Sequence, residues 1–136
     1  MTRVIGLDFG TTNSAIAVAG TQRQAMLATF NAGDSSTTSF RSILYFPPKD
    51  RTSVQKLETK AGPEAIATYL ESDTKGRLIV SIKSYLASHL FTTTSINGRN
   101  YTLEDLIAII LRRLRAAAMD QFSTPASHHQ VISMVF

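Results

Sequence analysis

Five residues near the start of the chain have the types and spacing that handle a metal-bound anion: Asp8, Gly10, Thr11, Thr12 and Asn13, inside VIGLDFGTTNSAIAV, Val4–Val18. A carboxylate can hold a divalent cation through one of its waters, and magnesium asks for few protein ligands because it keeps several waters. Gly10 lets backbone come close to a ligand. Successive turn N–H groups and two threonine hydroxyls form a donor site for an anion. A carboxylate beside such a cradle is what Mg-nucleotide chemistry uses. The plain alternative is a β-hairpin in which Asp8 and Asn13 only form the turn. Two features count against it. Asp8 ends a run so apolar that the strand reads as buried on both faces, where a carboxylate needs a partner or a cation. Gly6, inside the same strand, marks the close approach of another group.

These residues must be carried by strands. Residues 3–8 and 14–19 read as two strands joined by a tight turn, and 24–29 as a third. No lysine follows the glycine and the next element is a strand, so the motif is neither a P-loop nor a dinucleotide fingerprint. Asn31–Ser39 is polar and reads as a loop. Ile43–Phe46 is a short apolar strand stopped by Pro47-Pro48. Asp50–Lys60 is polar, with room for a short strand. Pro63 opens a helix whose apolar face is Ala65, Ile66, Tyr69 and Leu70. Val80–Leu86 reads as a short helix with Ile82, Tyr85 and Leu86 on one side. Thr93–Ile96 and Arg99–Tyr101 flank Asn97-Gly98, a hairpin signal. Thr102 then caps the strongest helix, with Asp105 placed to reciprocate. Its stripe is Leu103, Leu106, Ile107, Ile110, Leu111 and Leu114, and Pro125 sets its end near Phe122. Val131–Phe136 is a last apolar strand.

The 136 residues suit a single domain of α/β class, 43% apolar and 18% charged, which is globular composition. There is no cysteine, so thiolate metal sites and disulfides are excluded. The N-terminal residues do not form a signal peptide, and no apolar run reaches the ~18 residues of a membrane span; a cytoplasmic location is the expectation. The net charge of +4 is scattered. Only Arg112, Arg113 and Arg115 cluster, and they read as a solvated helix terminus rather than a nucleic-acid surface. His128-His129 reads as polar loop, since neighbours on extended chain point apart. His89 reads as a surface or packed histidine, and Tyr45, Tyr69, Tyr85 and Tyr101 as core aromatics.

The stretch IGLDFGTTNSAIAV resembles the first phosphate motif of the actin-like ATPase superfamily, and most closely that of the DnaK-type, heat-shock 70 kDa chaperones. SILYFP, AGPEAIATYL, SIKSYL and YTLEDLIAIILRRLRAAAMDQF resemble, in order, later segments of that family's ATPase domain. The resemblance implies an actin-like, ribonuclease-H-like fold with a mixed sheet, first lobe only. It implies ATP and Mg as ligands, with Asp8 orienting a water on Mg and Gly10, Thr11, Thr12 and Asn13 holding the β- and γ-phosphates. It also implies unfolded proteins or co-chaperones as partners. Two departures go with it. The family's helix carries a lysine used in hydrolysis where this chain has Ile66. The family's second phosphate motif and adenosine motif match nothing here, so weak or no ATP binding by this chain alone, and self-association through the tail strand Val131–Phe136 or the first-lobe sheet, are the expectations. A sugar kinase of the same superfamily and a non-enzymatic interaction module are the alternatives.

Overall fold

The computed structural model describes residues 3–20, 24–49 and 58–122, and the backbone of 129–135. Its centre is a mixed sheet. Strand β1 (Arg3–Phe9) pairs antiparallel with β2 (Asn13–Ala19), which pairs antiparallel with β3 (Ala25–Leu27). On the other side of β1 lies β12 (His129–Val135), parallel to it, with one step in register between Ile5 and Gly6. A parallel neighbour needs a crossover, and the helix α2 (Leu103–Phe122) precedes β12 in the chain. The order is β12-β1-β2-β3, and the two-residue β6 (Phe40–Arg41) adds to the start of β2. The α/β class read from the sequence is therefore what the chain adopts.

One face of this sheet makes the core. Alternation puts Ile5, Leu7 and Phe9 of β1 and Ile16 and Val18 of β2 on the same side, all buried. They share a cluster with Leu106, Ile110, Leu114 and Ala118 of α2, a stripe at four-residue spacing. At the end of α2 the Gln121 amide bonds both backbone groups of Thr29: Nε2 donates to the carbonyl at 2.6 Å and Oε1 accepts from the N–H at 2.8 Å. That pins the helix to the chain leaving β3.

A second sheet, β8-β7-β9, is built around β7 (Leu44–Phe46), with β8 (Lys60–Ala61) and β9 (Arg77–Ile79) on either side. Helix α1 (Pro63–Glu71) packs on it through Ala65, Ile66 and Tyr69. The residue before α1, Gly62, has φ 68° and ψ −145°, a region open essentially only to glycine. A Cβ there would also lie 2.3 Å from the Phe40 ring.

Several expectations are corrected. Asn31–Ser39 is not a loop: β4 (Phe30–Ala32) and β5 (Ser35–Thr37) form a hairpin across Gly33-Asp34, because polar residues pair as readily as apolar ones where one face meets water. Residues 77–79 form β9, drawn into a strand by the free edge of β7. The helix expected over 80–86 is only a 3₁₀ turn at Ile82–Tyr85. Ile82 is buried, but Tyr85 and Leu86 are exposed, since one turn can bury one side only. Leu70 is 70% exposed, because α1 turns it away from β7. The three arginines lie mid-helix in α2, which runs on to Phe122 with no basic residue in its last turn. Arg113 donates to the Glu58 carboxylate at 2.9 Å instead of complementing the helix end. His89 is exposed. Residues 50–57 and the His128-His129 side chains lie outside the described residues, as do those of Val131–Phe136.

The hairpin β10 (Thr93–Ile96) and β11 (Arg99–Thr102) turns at Asn97 and Gly98, both at positive φ, as its sequence signal requires. The start of α2 follows expectation as well. The Asp105 N–H donates to Thr102 Oγ1 at 3.1 Å, and the Thr102 N–H donates to Asp105 Oδ2 at 2.9 Å. The bond from the Thr102 backbone, then that from its hydroxyl, hold the Asp105 carboxyl below its ordinary value. Thr102→Ala should cost about 1 kcal/mol in thermal unfolding. A depressed carboxyl stabilises the fold above the unfolded value, and that stability is lost as pH falls through the folded one. Melting of Asp105→Asn should therefore lie below wild type at neutral pH, and the gap should close as the pH falls below the ordinary carboxylate value.

Candidate phosphate-binding turn

The turn between β1 and β2 spans Gly10, Thr11 and Thr12, since the ladder closes at Phe9 opposite Ser14. Its tightness requires glycine at its first position: a Cβ on Gly10 would stand 2.2 Å from the Asn13 carbonyl oxygen. Thr11, Thr12 and Asn13 are exposed. Among the described residues the N–H groups of Gly10, Thr11 and Thr12 and the hydroxyls of both threonines bond to no protein acceptor. Three consecutive backbone donors are thus left without a protein acceptor among the described residues, and such a run of donors can receive an anion.

What holds the turn in this shape is a pair of buried serines that the sequence reading did not assign. Ser42 lies after β6 and is 1% exposed; Ser14, at the start of β2, is 2% exposed. Ser42 Oγ donates to the Gly10 carbonyl at 2.7 Å and lies 2.8 Å from Ser14 Oγ. A hydroxyl has one proton. Since that of Ser42 goes to Gly10, Ser14 must donate to Ser42, which gives a directed chain from Ser14 to Ser42 to the turn carbonyl. The Ser42 N–H also donates to the Thr12 carbonyl at 2.9 Å. The Gly10 and Thr12 carbonyls are thereby both bonded to Ser42. The available signal was a serine placed just where each apolar strand begins, Ser14 before Ala15-Ile16 and Ser42 before Ile43-Leu44.

Asp8 corrects one expectation. β1 is not buried on both faces. Its residues alternate, and Asp8 is exposed on the face opposite the core. Water can solvate it, so burial does not demand a cation there. Its position is what matters. Asp8 stands opposite Ala15, and Ala15 shares its face with Asn13, two residues earlier on β2. The carboxylate, Asn13 and the mouth of the turn therefore lie on one side of the sheet. Nothing approaches within 4 Å of where a Gly6 Cβ would be, so this glycine opens the same face instead of admitting a neighbouring element.

Ile66, at the position where the resembled family has lysine, packs on Ile43, Tyr45 and Ala65 in an apolar cluster. Two clefts among the described residues lie elsewhere. One of about 560 Å³ runs between Asn31, Glu64 and Asp120, and one of about 600 Å³ between Tyr101, Arg99 and Arg112. Neither includes any residue of the turn. Among the described residues no three His, Cys, Asp or Glu side chains gather closely enough to hold a metal by themselves. No described helix is long and apolar enough to cross a membrane.

The directed serine chain orders two substitutions. Ser42→Ala strands both the Ser14 donor and the Gly10 carbonyl, while Ser14→Ala removes one donor and leaves the Ser42–Gly10 bond in place. Each buried unpaired group costs about 1–3 kcal/mol. Urea unfolding should show Ser42→Ala as the more destabilised, and amide exchange should show the Thr11 and Thr12 N–H signals altered most in that variant. Equal losses would mean that the two hydroxyls do not act in sequence. No family model matches the chain, so the role of the turn rests on its own chemistry.

Proposed function

We propose that the chain binds the phosphates of a Mg-nucleotide, ATP in the first instance, on the Gly10–Asn13 turn. The observation that carries this reading is the set of N–H donors at Gly10, Thr11 and Thr12 that bond no acceptor among the described residues, in a turn held by the buried Ser14–Ser42 pair, with the exposed Asp8 carboxylate just before it. In this reading the N–H groups and threonine hydroxyls bind phosphate oxygens, and Asp8 receives a water of the metal. Gly10 is required because any Cβ would open the turn. The fit is of donor set and charge: three N–H donors for an anion, one carboxylate for a hydrated cation.

The wider assignment is an actin-like ATPase lobe of the DnaK-type chaperone branch, acting in the cytoplasm on unfolded proteins with co-chaperones. It is proposed from the motif order, and the mixed sheet with its parallel strand after a crossover helix supports it. Hydrolysis is not part of the proposal. Ile66 is held among apolar side chains and brings no charge to a transferring phosphate.

A turn without an adenine pocket binds through phosphate alone. Affinity for Mg-ATP should be near about 1 mM, a free energy of about 4 kcal/mol. Amide chemical shifts read such weak binding directly. Mg-ATP and magnesium tripolyphosphate should both move the signals of Gly10, Thr11, Thr12 and Asn13, and adenosine should not. Asp8→Ala should reduce the response to the magnesium complexes while leaving the unliganded spectrum otherwise intact. If no turn amide responds to either polyphosphate, the turn serves only the fold and the interaction-module reading takes its place.

Self-association is proposed alongside. β12 is the outermost strand of its sheet, and among the described residues its outer edge pairs with nothing. An unpaired edge accepts a second chain. Sedimentation velocity over a concentration series should show a dimer or larger species. A single monomer boundary at high concentration would overturn this.

A further inference from the structure

We infer that Arg41 is a phosphate-binding residue of the same site, placed across the turn from Asp8. This rests on the proposed phosphate reading of the turn and adds to it a cation that neither the motif nor the resemblance supplies.

The placement follows from register. β6 pairs with β2 so that Arg41 stands opposite Asn13 and Phe40 opposite Ser14. Residues opposite one another in an antiparallel pair project to the same side. The burial agrees: Phe40 and Ser14 are both buried, while Arg41 and Asn13 are both exposed. Arg41 thus shares the face of Asn13, Ala15 and Asp8. Two strands and two residues separate the Cα atoms of Asp8 and Arg41, about 12 Å by strand spacing and rise. The residues of β2 on that face between them are Ala15, opposite Asp8, and Asn13, opposite Arg41.

Arg41 is also held in place. The next residue, Ser42, makes the three bonds that fix the turn, to Thr12, Gly10 and Ser14. Backbone position at 41 is therefore coupled to the backbone of the cradle itself. Among the described residues its guanidinium forms no ion pair; the three ion pairs join Lys60 to Glu58, Lys60 to Glu64, and Arg113 to Glu58. On one face lie a carboxylate and a guanidinium with no ion pair among the described residues, beside a turn whose N–H donors are unbonded among those residues. That is the charge pattern for an anion carrying a hydrated divalent cation: the guanidinium forks onto phosphate oxygens and the carboxylate takes the metal's water. The ligand class is a metal-complexed polyphosphate. With Ile66 in the apolar cluster, the cation of the site comes from the β-strand side rather than from α1.

The test compares wild type, Arg41→Ala and Arg41→Lys by the amide shifts of Thr11, Thr12 and Asn13, titrated with Mg-ATP and separately with tripolyphosphate free of magnesium. Arg41→Ala should raise the dissociation constant about tenfold with both probes, which is about 1.4 kcal/mol. Arg41→Lys should recover part of that loss, since it keeps the charge without the fork. Asp8→Ala should weaken only the magnesium complex. The difference between wild type and Arg41→Ala should shrink as salt is raised, and the unliganded turn signals and melting temperature should stay at wild-type values. Wild-type binding that Arg41→Ala leaves unchanged would overturn the assignment of Arg41 and keep the phosphate turn. No response of wild type to either probe would overturn both. A loss in Arg41→Ala accompanied by displaced turn signals before ligand is added, and not recovered by lysine, would make the residue structural and overturn the assignment.

Discussion

One buried hydroxyl, that of Ser42, joins the parts of this molecule. It donates into the β1–β2 turn, accepts from Ser14, and sits in a segment that belongs to two sheets at once. Phe40 and Arg41 pair with β2, and Leu44–Phe46 is the middle strand of the second sheet. Between them the Ile43 carbonyl accepts the N–H of Gly62, the residue that opens α1. A polar group in so dry a place is tolerated because it both donates and accepts a hydrogen bond. Among the described residues no buried side-chain polar atom lacks a partner. The same segment that joins the sheets also fixes the Gly10 and Thr12 carbonyls of the turn.

The sheet separates folding from chemistry by its two faces. Side chains of period two place Ile5, Leu7, Phe9, Ile16 and Val18 against α2, and that face does the work of the core. The other face carries Gly6, Asp8, Asn13, Ala15 and Ala17, small or polar, with Arg41 beside them. A slip of one residue between β1 and β2 would exchange the faces. The antiparallel register therefore does two things together: it buries five apolar side chains and it exposes the carboxylate. Charge on that face is free to vary without loss to the core.

The two helices begin in different ways, and the difference has a physical origin. α2 starts with a reciprocal pair of side-chain bonds between Thr102 and Asp105, and both partners lie three residues apart in the chain. That start was legible in the sequence because a capping box is local. α1 starts at Gly62 with no side-chain cap at all. Its geometry comes from the Phe40 ring, which occupies the space of a Cβ, and from the Ile43 carbonyl. Both are about twenty residues away in the chain, and no local pattern announces them.

The sequence by itself determined what depends on near neighbours and on periodicity. The existence of β1 and β2, the glycine-dependent turn, the Asn97-Gly98 hairpin, the capped stripe of α2 and the α/β class could all be read from it, because each is set within a few residues. Only the tertiary structure decided which strand faces are wet. Asp8 looks buried when its neighbours are read as a string, but it is exposed because α2 covers one face alone. Residues 31–39 look like a loop by composition, yet they pair with each other. Residues 77–79 became a strand because β7 offered an edge, and Tyr85 and Leu86 stayed out because a single 3₁₀ turn has too little surface to bury both. Ser42 and Arg41 reach the turn from about thirty residues downstream. The physical reason is common to all of these: burial and hydrogen-bond partnership are properties of what packs alongside, and no stretch of chain carries its own neighbours.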